Sequence, residues 1–245
     1  MFRLVSYDVV NCFGTIPTEH AIQIISDDFD KVSEFTDIPK DLFMKLLRFC
    51  LTECNYFVFD DEIFKQINGL FMGSSLSSIL VERVIEKVVD ETLAKLDFAP
   101  QFWKIFVDDH ITAIPEEKIN IVKNQLNQYL EGIIEFTEEV EINGKINFLD
   151  LTIHVDNDGK IRTNWYAKPM ASNRLINFYS AHPNHMKYNV AKSFIRKILT
   201  VSHVDFHPSN KQRIFDILRK NNFPTKLIEK LYTDVVRDIT TAREM

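Results

Sequence analysis

The sequence predicts an α+β protein, an antiparallel sheet with packed helices followed by an all-helical end. Three observations carry this. Short β-rich stretches near residues 2–10, 103–114 and 136–155 are interleaved with longer segments whose apolar residues recur at helical spacing. Asp60-Asp61, Asp108-Asp109 and Asn143-Gly144 each stand between β-rich stretches as turn residues, and tight hairpins join antiparallel strands. From His185 the pattern is helical throughout, interrupted at His207-Pro208 and Phe223-Pro224.

Composition narrows the function. With 245 residues, 45% of them hydrophobic and 20 of them Phe, the chain can bury a substantial core. Its apolar runs fall short of the roughly 20 residues that span a bilayer. The first ten residues, MFRLVSYDVV, lack the apolar stretch and small-residue site of a signal peptide. Cys12, Cys50 and Cys54 form no even framework of the secreted kind, which points to a reducing, intracellular setting. The net charge of −6 is unevenly spread: 13 Lys and Arg against 29 Asp and Glu before residue 160, then 16 against 6. An acidic body with a basic end suits a division between cation and polyanion binding; a solvated acidic surface beside a basic helical tail has the same totals.

In chain order, residues 2–10 read as a buried strand carrying Asp8. Residues 18–28 read as a helix with Thr18 as N-cap. A second helix covers 39–54, with Pro39 in its first turn and Cys50 and Cys54 facing the core. Residues 56–59 and 62–67 make a hairpin around Asp60-Asp61, a plain exposed turn. A Gly-containing loop over 68–75 leads into a long helix over about 76–96, where Ile79, Leu80, Val84 and Val88 recur at helical spacing. An amphipathic helix over 116–130 follows the 103–114 hairpin. Strands at 136–142 and 146–155 flank Asn143-Gly144, and a turn at 156–159 leads to a strand through Tyr166. Helices over about 185–200, 208–220 and 224–240 complete the chain. Composition shifts near residues 160–185, the one candidate boundary.

The hairpin WKIFVDDHITAI, residues 103–114, carries the chemistry. It places Asp108 and Asp109 side by side at a tip between apolar strands. Like charges repel, and burial makes ionised carboxylates expensive. Magnesium is the usual compensation, held by one or two carboxylates plus substrate phosphates. A solvent-facing Asp-Asp turn is the ordinary alternative. Asp8 on a neighbouring strand would give the pair a third carboxylate. Three carboxylates at one point can hold two metal ions about 3.5–4 Å apart, the clamp for in-line phosphoryl displacement.

Five segments, in order along nearly the whole chain, resemble reverse transcriptases, and in particular the Penelope-like retroelement family. YDVVNCFGTIP is similar to that family's first catalytic motif, and QINGLFMGSSLSS to its Q-x-x-G-x-x-M-G-S-x-L-S motif. FVDD is similar to the Tyr/Phe-x-Asp-Asp signature, NGKINFLDLTI to N-G-x-x-x-F-L-D, and YAKPMASNRLINFYSAHPNHMK to the stretch ending in H-P. The resemblance implies a polymerase palm over residues 1–168, then a connector and helical thumb over 169–245. It implies Asp8, Asp108 and Asp109 as catalytic metal ligands, with two Mg2+ ions (Mn2+ as substitute). Phe13 is then the ring that excludes a sugar 2′-hydroxyl, and Gln66, Gly69, Gly73 and Ser74 the loop against nucleotide and template. For Phe13 the alternative is a core residue, and for Ser74 a helix cap. Phe148-Leu149-Asp150 falls near the primer-holding hairpin. The implied partners are an RNA template, a DNA primer and dNTPs, with no membrane, and the implied location is nuclear.

There are departures. Ser75 and Ser78 stand where the family often has Pro, Glu135 where it often has Lys, and Ser172-Asn173 where it has Thr-Asp. The resemblance begins inside the first motif, so the expectation is a palm and thumb without fingers, with an upstream fingers segment as a further partner and without a GIY-YIG endonuclease. The rival readings are three. One is a truncated or domesticated fragment that binds nucleic acid without catalysis. Another is an RNA-dependent RNA polymerase, which Phe13 disfavours. The third is a zinc site at His182, His185, His203 and His207, which has no cysteine nearby.

Overall fold

The computed structural model describes residues 1–156 and 158–244. The first strand, β1 (Phe2–Val9), leads into α1 (Cys12–Thr15), α2 (Thr18–Asp27), α3 (Phe29–Ser33) and α4 (Lys40–Thr52). The hairpin β2 (Tyr56–Phe59) and β3 (Glu62–Lys65) precedes a long helix, α5 (Ser75–Lys95). Then come β4 (Trp103–Phe106), β5 (Asp109–Pro115), a 3-10 turn at Glu116–Lys118, α6 (Ile119–Gln128) and β6 (Phe136–Val140). Three strands, β7 (Lys145–Phe148), β8 (Leu151–Val155) and β9 (Ile161–Trp165), precede the helices α7 (Asn184–Val201), α8 (His207–Lys220) and α9 (Thr225–Glu244). Contacts divide the chain into two compact units, Met1–Glu141 and Ile142–Met245.

In the first unit a four-stranded antiparallel sheet has the order β4-β5-β1-β6. Alternation in β1 sends Val5, Tyr7 and Val9 into the core and leaves Asp8 exposed. The sheet is covered on its Tyr7 side by α2, α5 and α6. Helix α5 is the spine, because Leu80, Val81, Val84, Ile85, Val88 and Val89 recur every three or four residues and are all buried. Ile79, one of the four positions that marked this helix in the sequence, lies outside that stripe and is exposed. Cys50 and Cys54 are also exposed, since α4 turns Leu47 and Leu51 inward instead. Thr18 is the first helical residue and not the cap; its hydroxyl donates to the Gly69 carbonyl, 3.2 Å away.

In the second unit β7, β8 and β9 form an antiparallel meander. The single strand expected over 146–155 is two strands. Leu149, with φ at 53°, turns the chain at a residue that carries no turn signal. The turn expected at 156–159 includes residue 157, which lies outside the described residues. Trp165 at the end of β9 is buried with Ile195, Ile198, Ile214, Leu218 and Ile228 of the three helices. The compositional boundary near 160–185 therefore falls inside one packed body. A segment without regular structure, residues 166–183, crosses this body and is tied down by Asn221. The Asn221 side chain accepts from the Leu175 amide at 2.9 Å and donates to the Asn173 carbonyl at 3.0 Å.

Candidate active site

The site is built on adjacent strands. β1 and β5 pair with Tyr7 opposite His110. One step further in that register Asp8 comes opposite Asp109, and opposed residues of an antiparallel pair project from the same face about 4.5–5.5 Å apart at Cβ. The hairpin between β4 and β5 differs from its sequence reading. Phe106 pairs with Asp109, so the turn is Val107-Asp108 and Asp109 belongs to the strand. The left-handed residue is Val107, with φ at 58°. A β-branched residue held there costs on the order of 1–2 kcal/mol. At the β2–β3 turn the same task falls to Asp60 and Asp61, with φ of 51° and 61°, residues that tolerate it.

Asp108 also reaches the Asp8 neighbourhood. The Cys12 thiol is pushed up to about 12, first by burial and then by the negative charges of Asp108 and Asp8. Two carboxylates, one on β1 and one in the β4–β5 turn, thus act on one point. They are not the buried charges that the apolar flanks implied: Asp8 is exposed and Asp108 and Asp109 are half-buried. The case for a cation rests on convergence and not on desolvation. Among the described residues no three His, Cys, Asp or Glu side chains form a ready-made cage. Magnesium needs none, since two protein carboxylates with substrate phosphates and water complete its shell, and the oxygen-only donor set fits that ion.

The opposite face of the same strands is dry and rigid. Trp103 stacks on Tyr7 with ring centroids 5.7 Å apart and donates from Nε1 to His110 Nδ1 at 3.1 Å. Burial holds His110 down to about 4, so it is a neutral structural ring beneath the carboxylates. Neither contact is legible in the letters WKIFVDDH, although a Trp and a His seven residues apart across a hairpin are the only signal available.

The Gly-Ser loop meets α1, the turn that follows Asp8. Gly69, with φ at 75°, lies so close that a Cβ there would be 2.6 Å from the Gly14 carbonyl oxygen and 2.7 Å from that of Phe13. The Leu70 amide donates to the Phe13 carbonyl at 2.6 Å. Phe13 and the loop are thereby brought together, with Phe13 half-buried against the core. Gln66 and Gly69 line a cleft of about 700 Å3 with Gly14 and Thr15, and the three aspartates are not among its lining residues. Gln66 also turns back on the Asn68 carbonyl at 2.8 Å. Gly73, with φ at 93°, faces open space. Ser74 is the N-cap of α5 and accepts from the Leu76 amide at 3.2 Å. In the second unit the imidazoles have other employment: His207 Nε2 lies 3.1 Å from the carbonyls of Leu199 and Ser202, and His182 bonds Ser180.

An antiparallel sheet with packed helices, followed in the chain by a helical unit, is the fold of polymerase palm and thumb structures. Solved structures agree. The RNA-dependent RNA polymerase of a human picorbirnavirus superposes with a TM-score of 0.62 at 15% identity, covering 92% of this chain and 42% of that one. Apo telomerase from Candida tropicalis gives 0.57 at 13% identity, over 98% of this chain and 43% of that one. The Sicinivirus 3Dpol RNA-dependent RNA polymerase gives 0.56 at 16% identity, over 96% and 52%. The chain thus spans about half or less of the structures it matches. Residues 174–233 match the animal helix-turn-helix domain. No curated protein sequence matches. No helix among the described residues is long and apolar enough to cross a membrane.

Proposed function

We propose that this chain is the palm and thumb of an RNA-directed DNA polymerase of the Penelope-like retroelement type, adding dNTPs to a primer 3′ end. The observation that carries the reading is the β1–β5 register, which pairs Tyr7 with His110 and so brings the next residues, Asp8 and Asp109, to the same end of adjacent strands, with Asp108 in the turn beside them. These three side chains would hold magnesium, as two ions, with manganese as a substitute. When bound, that metal supplies charge neutralisation at the transferring phosphoryl group and activation of the attacking hydroxyl. The protein supplies position. The half-buried Phe13 ring would stand against the sugar and select against a 2′-hydroxyl. The backbone at Gly69 and Gly73 gives close approach to nucleotide and template, and the basic helical unit would hold the duplex. In this reading the element acts in the nucleus.

Phe13 separates this reading from an RNA polymerase, a choice that the fold alone leaves open. Primer extension on an RNA template tests both. Extension with dNTPs in the wild type, its loss in Asp108→Ala, and gain of rNTP use in Phe13→Ala are the expected results. A second reading, a nucleic-acid-binding fragment without catalysis, draws on the basic charge of the C-terminal part alone, 16 Lys and Arg against 6 Asp and Glu from residue 160. Absence of extension, with salt-dependent duplex binding intact in Asp108→Ala, would establish that reading instead.

A further inference from the structure

The second unit is basic, and its cations divide into two populations. On one side Lys192 Nζ lies 3.1 Å from Asp234, Arg196 Nη2 lies 2.9 Å from Asp238, and Lys197 is paired with Asp150. These neutralise one another within the fold, fixing α7 to α9 and to the β7–β8 turn. Four others, Lys168, Arg174, Arg213 and Lys220, are exposed and, among the described residues, carry no ion pair. Lys220 ends α8, and Arg174 lies beside it because Asn221, the next residue, binds both Asn173 and Leu175. Arg213 is two helical turns before Lys220, on the same face and about 10 Å away at a rise of ~1.5 Å per residue. Its guanidinium stacks 4.4 Å over the Trp165 ring and leaves an edge to solvent. Lys168 emerges three residues beyond Trp165 and is exposed. The one acid on this part of α8, Asp216, is already bonded by Gln212 at 3.0 Å and Arg219 at 3.4 Å.

We infer that this row, Lys168, Arg213, Arg174 and Lys220, is the surface that grips nucleic-acid backbone, and that the α7–α9 side is not. Charges already paired must break their partners to meet phosphate, whereas these four have no carboxylate to give up, and Arg213 keeps a free edge beside its bond to the Trp165 carbonyl at 3.3 Å. The Arg213–Lys220 separation of about 10 Å suits separate phosphates of one strand. Recognition is of the phosphodiester backbone and carries no base sequence. The inference rests on reading the unit as the part of a polymerase that holds the duplex.

The test is equilibrium binding of a short fluorescein-labelled RNA–DNA hybrid by the full chain in EDTA, across a salt series. Binding without metal is independent of turnover, so failure here and failure of primer extension are distinguishable. Arg174→Gln with Lys220→Gln is expected to weaken binding about tenfold and to lower the slope of log affinity against log salt by about 2. Lys192→Gln with Arg196→Gln is expected to stay within about twofold of wild type. Lys220→Glu, with its melting temperature checked, gives a larger loss if the row is the surface. Equal weakening by both double variants, or none by the first, overturns the assignment. So does displacement of the hybrid by polyglutamate as readily as by unlabelled hybrid.

Discussion

Asn221 is the residue whose removal should undo the second unit most cheaply. It ends α8, is 8% exposed, and its side chain serves three backbone groups. The Leu175 amide donates to Oδ1 at 2.9 Å, and Nδ2 donates to the carbonyls of Asn173 at 3.0 Å and Ile217 at 2.9 Å. Truncation in Asn221→Ala does not cost the same at each. Ile217 keeps a second donor in the Asn221 amide at 3.2 Å, and Asn173 is exposed enough for water to replace the bond. The Leu175 amide is partly buried and loses its only described acceptor. Stripping a buried donor costs about 1–3 kcal/mol and an exposed acceptor less, so the expected total is about 3 kcal/mol. Urea melts followed by Trp165 fluorescence in a Trp103→Phe background report this unit alone. Hydrogen exchange at the Leu175 amide reports the bond itself. Asn221→Asp keeps the acceptor and should leave that amide protected while still losing both donated bonds. A cost below about 1 kcal/mol, with Leu175 exchange unchanged in Asn221→Ala, would refute the reasoning.

Three further outcomes follow from the first unit. Burial lowers His110 from 6.5 to about 4, so between those values the unfolded chain binds more protons. Stability is full above pH 6.5 and falls by about 3 kcal/mol as pH drops toward 4; in metal-free buffer, His110→Phe should flatten that part of the stability curve. Gly69→Ala drives a methyl group into two carbonyl oxygens at positive φ, whereas Gly73→Ala meets only the φ cost. The first should cost more than about 3 kcal/mol and the second about 1, by thermal melts. Ser74→Ala should lose about 1 kcal/mol as a lost N-cap and Ser74→Thr little. If Ser74→Ala also raises the apparent KM for dNTP in primer extension and Ser74→Thr does not, the hydroxyl serves the nucleotide as well.

Much of the fold was legible because its elements follow simple periods. The long helix, the three C-terminal helices and the Asp60-Asp61 and Asn143-Gly144 turns lie where apolar spacing and turn chemistry put them. Three kinds of feature were hidden. A left-handed Leu149 breaks the rule that turns use Gly, Asn or Asp, so that turn is invisible as letters, and a left-handed Val107 sets the 103–114 hairpin tip one residue before the Asp108-Asp109 that marked it. The two faces of α4 are both apolar, and only packing shows that Leu47 and Leu51 point in while Cys50 does not. Asp8, Asp108 and Asp109 were identifiable by type and order, but their exposure was misjudged, because apolar neighbours say how a strand is buried and not how its end is. Asn221 carried no signal at all; a lone Asn before Asn-Phe-Pro reads as a loop.

The β2–β3 hairpin has a practical consequence for anyone handling this chain. Phe57 and Phe64 stack on one face, Val58 and Ile63 occupy the other, and every residue of both strands is exposed. Among the described residues neither outer edge has a partner strand. An isolated two-stranded ribbon is marginal in water, and an aromatic one with free edges is a template for cross-β growth. Solubility, more than folding stability, will set the concentration at which this chain can be studied. Charged substitutions at Val58 and Ile63 are the place to raise it, since both side chains are exposed and belong to neither buried core.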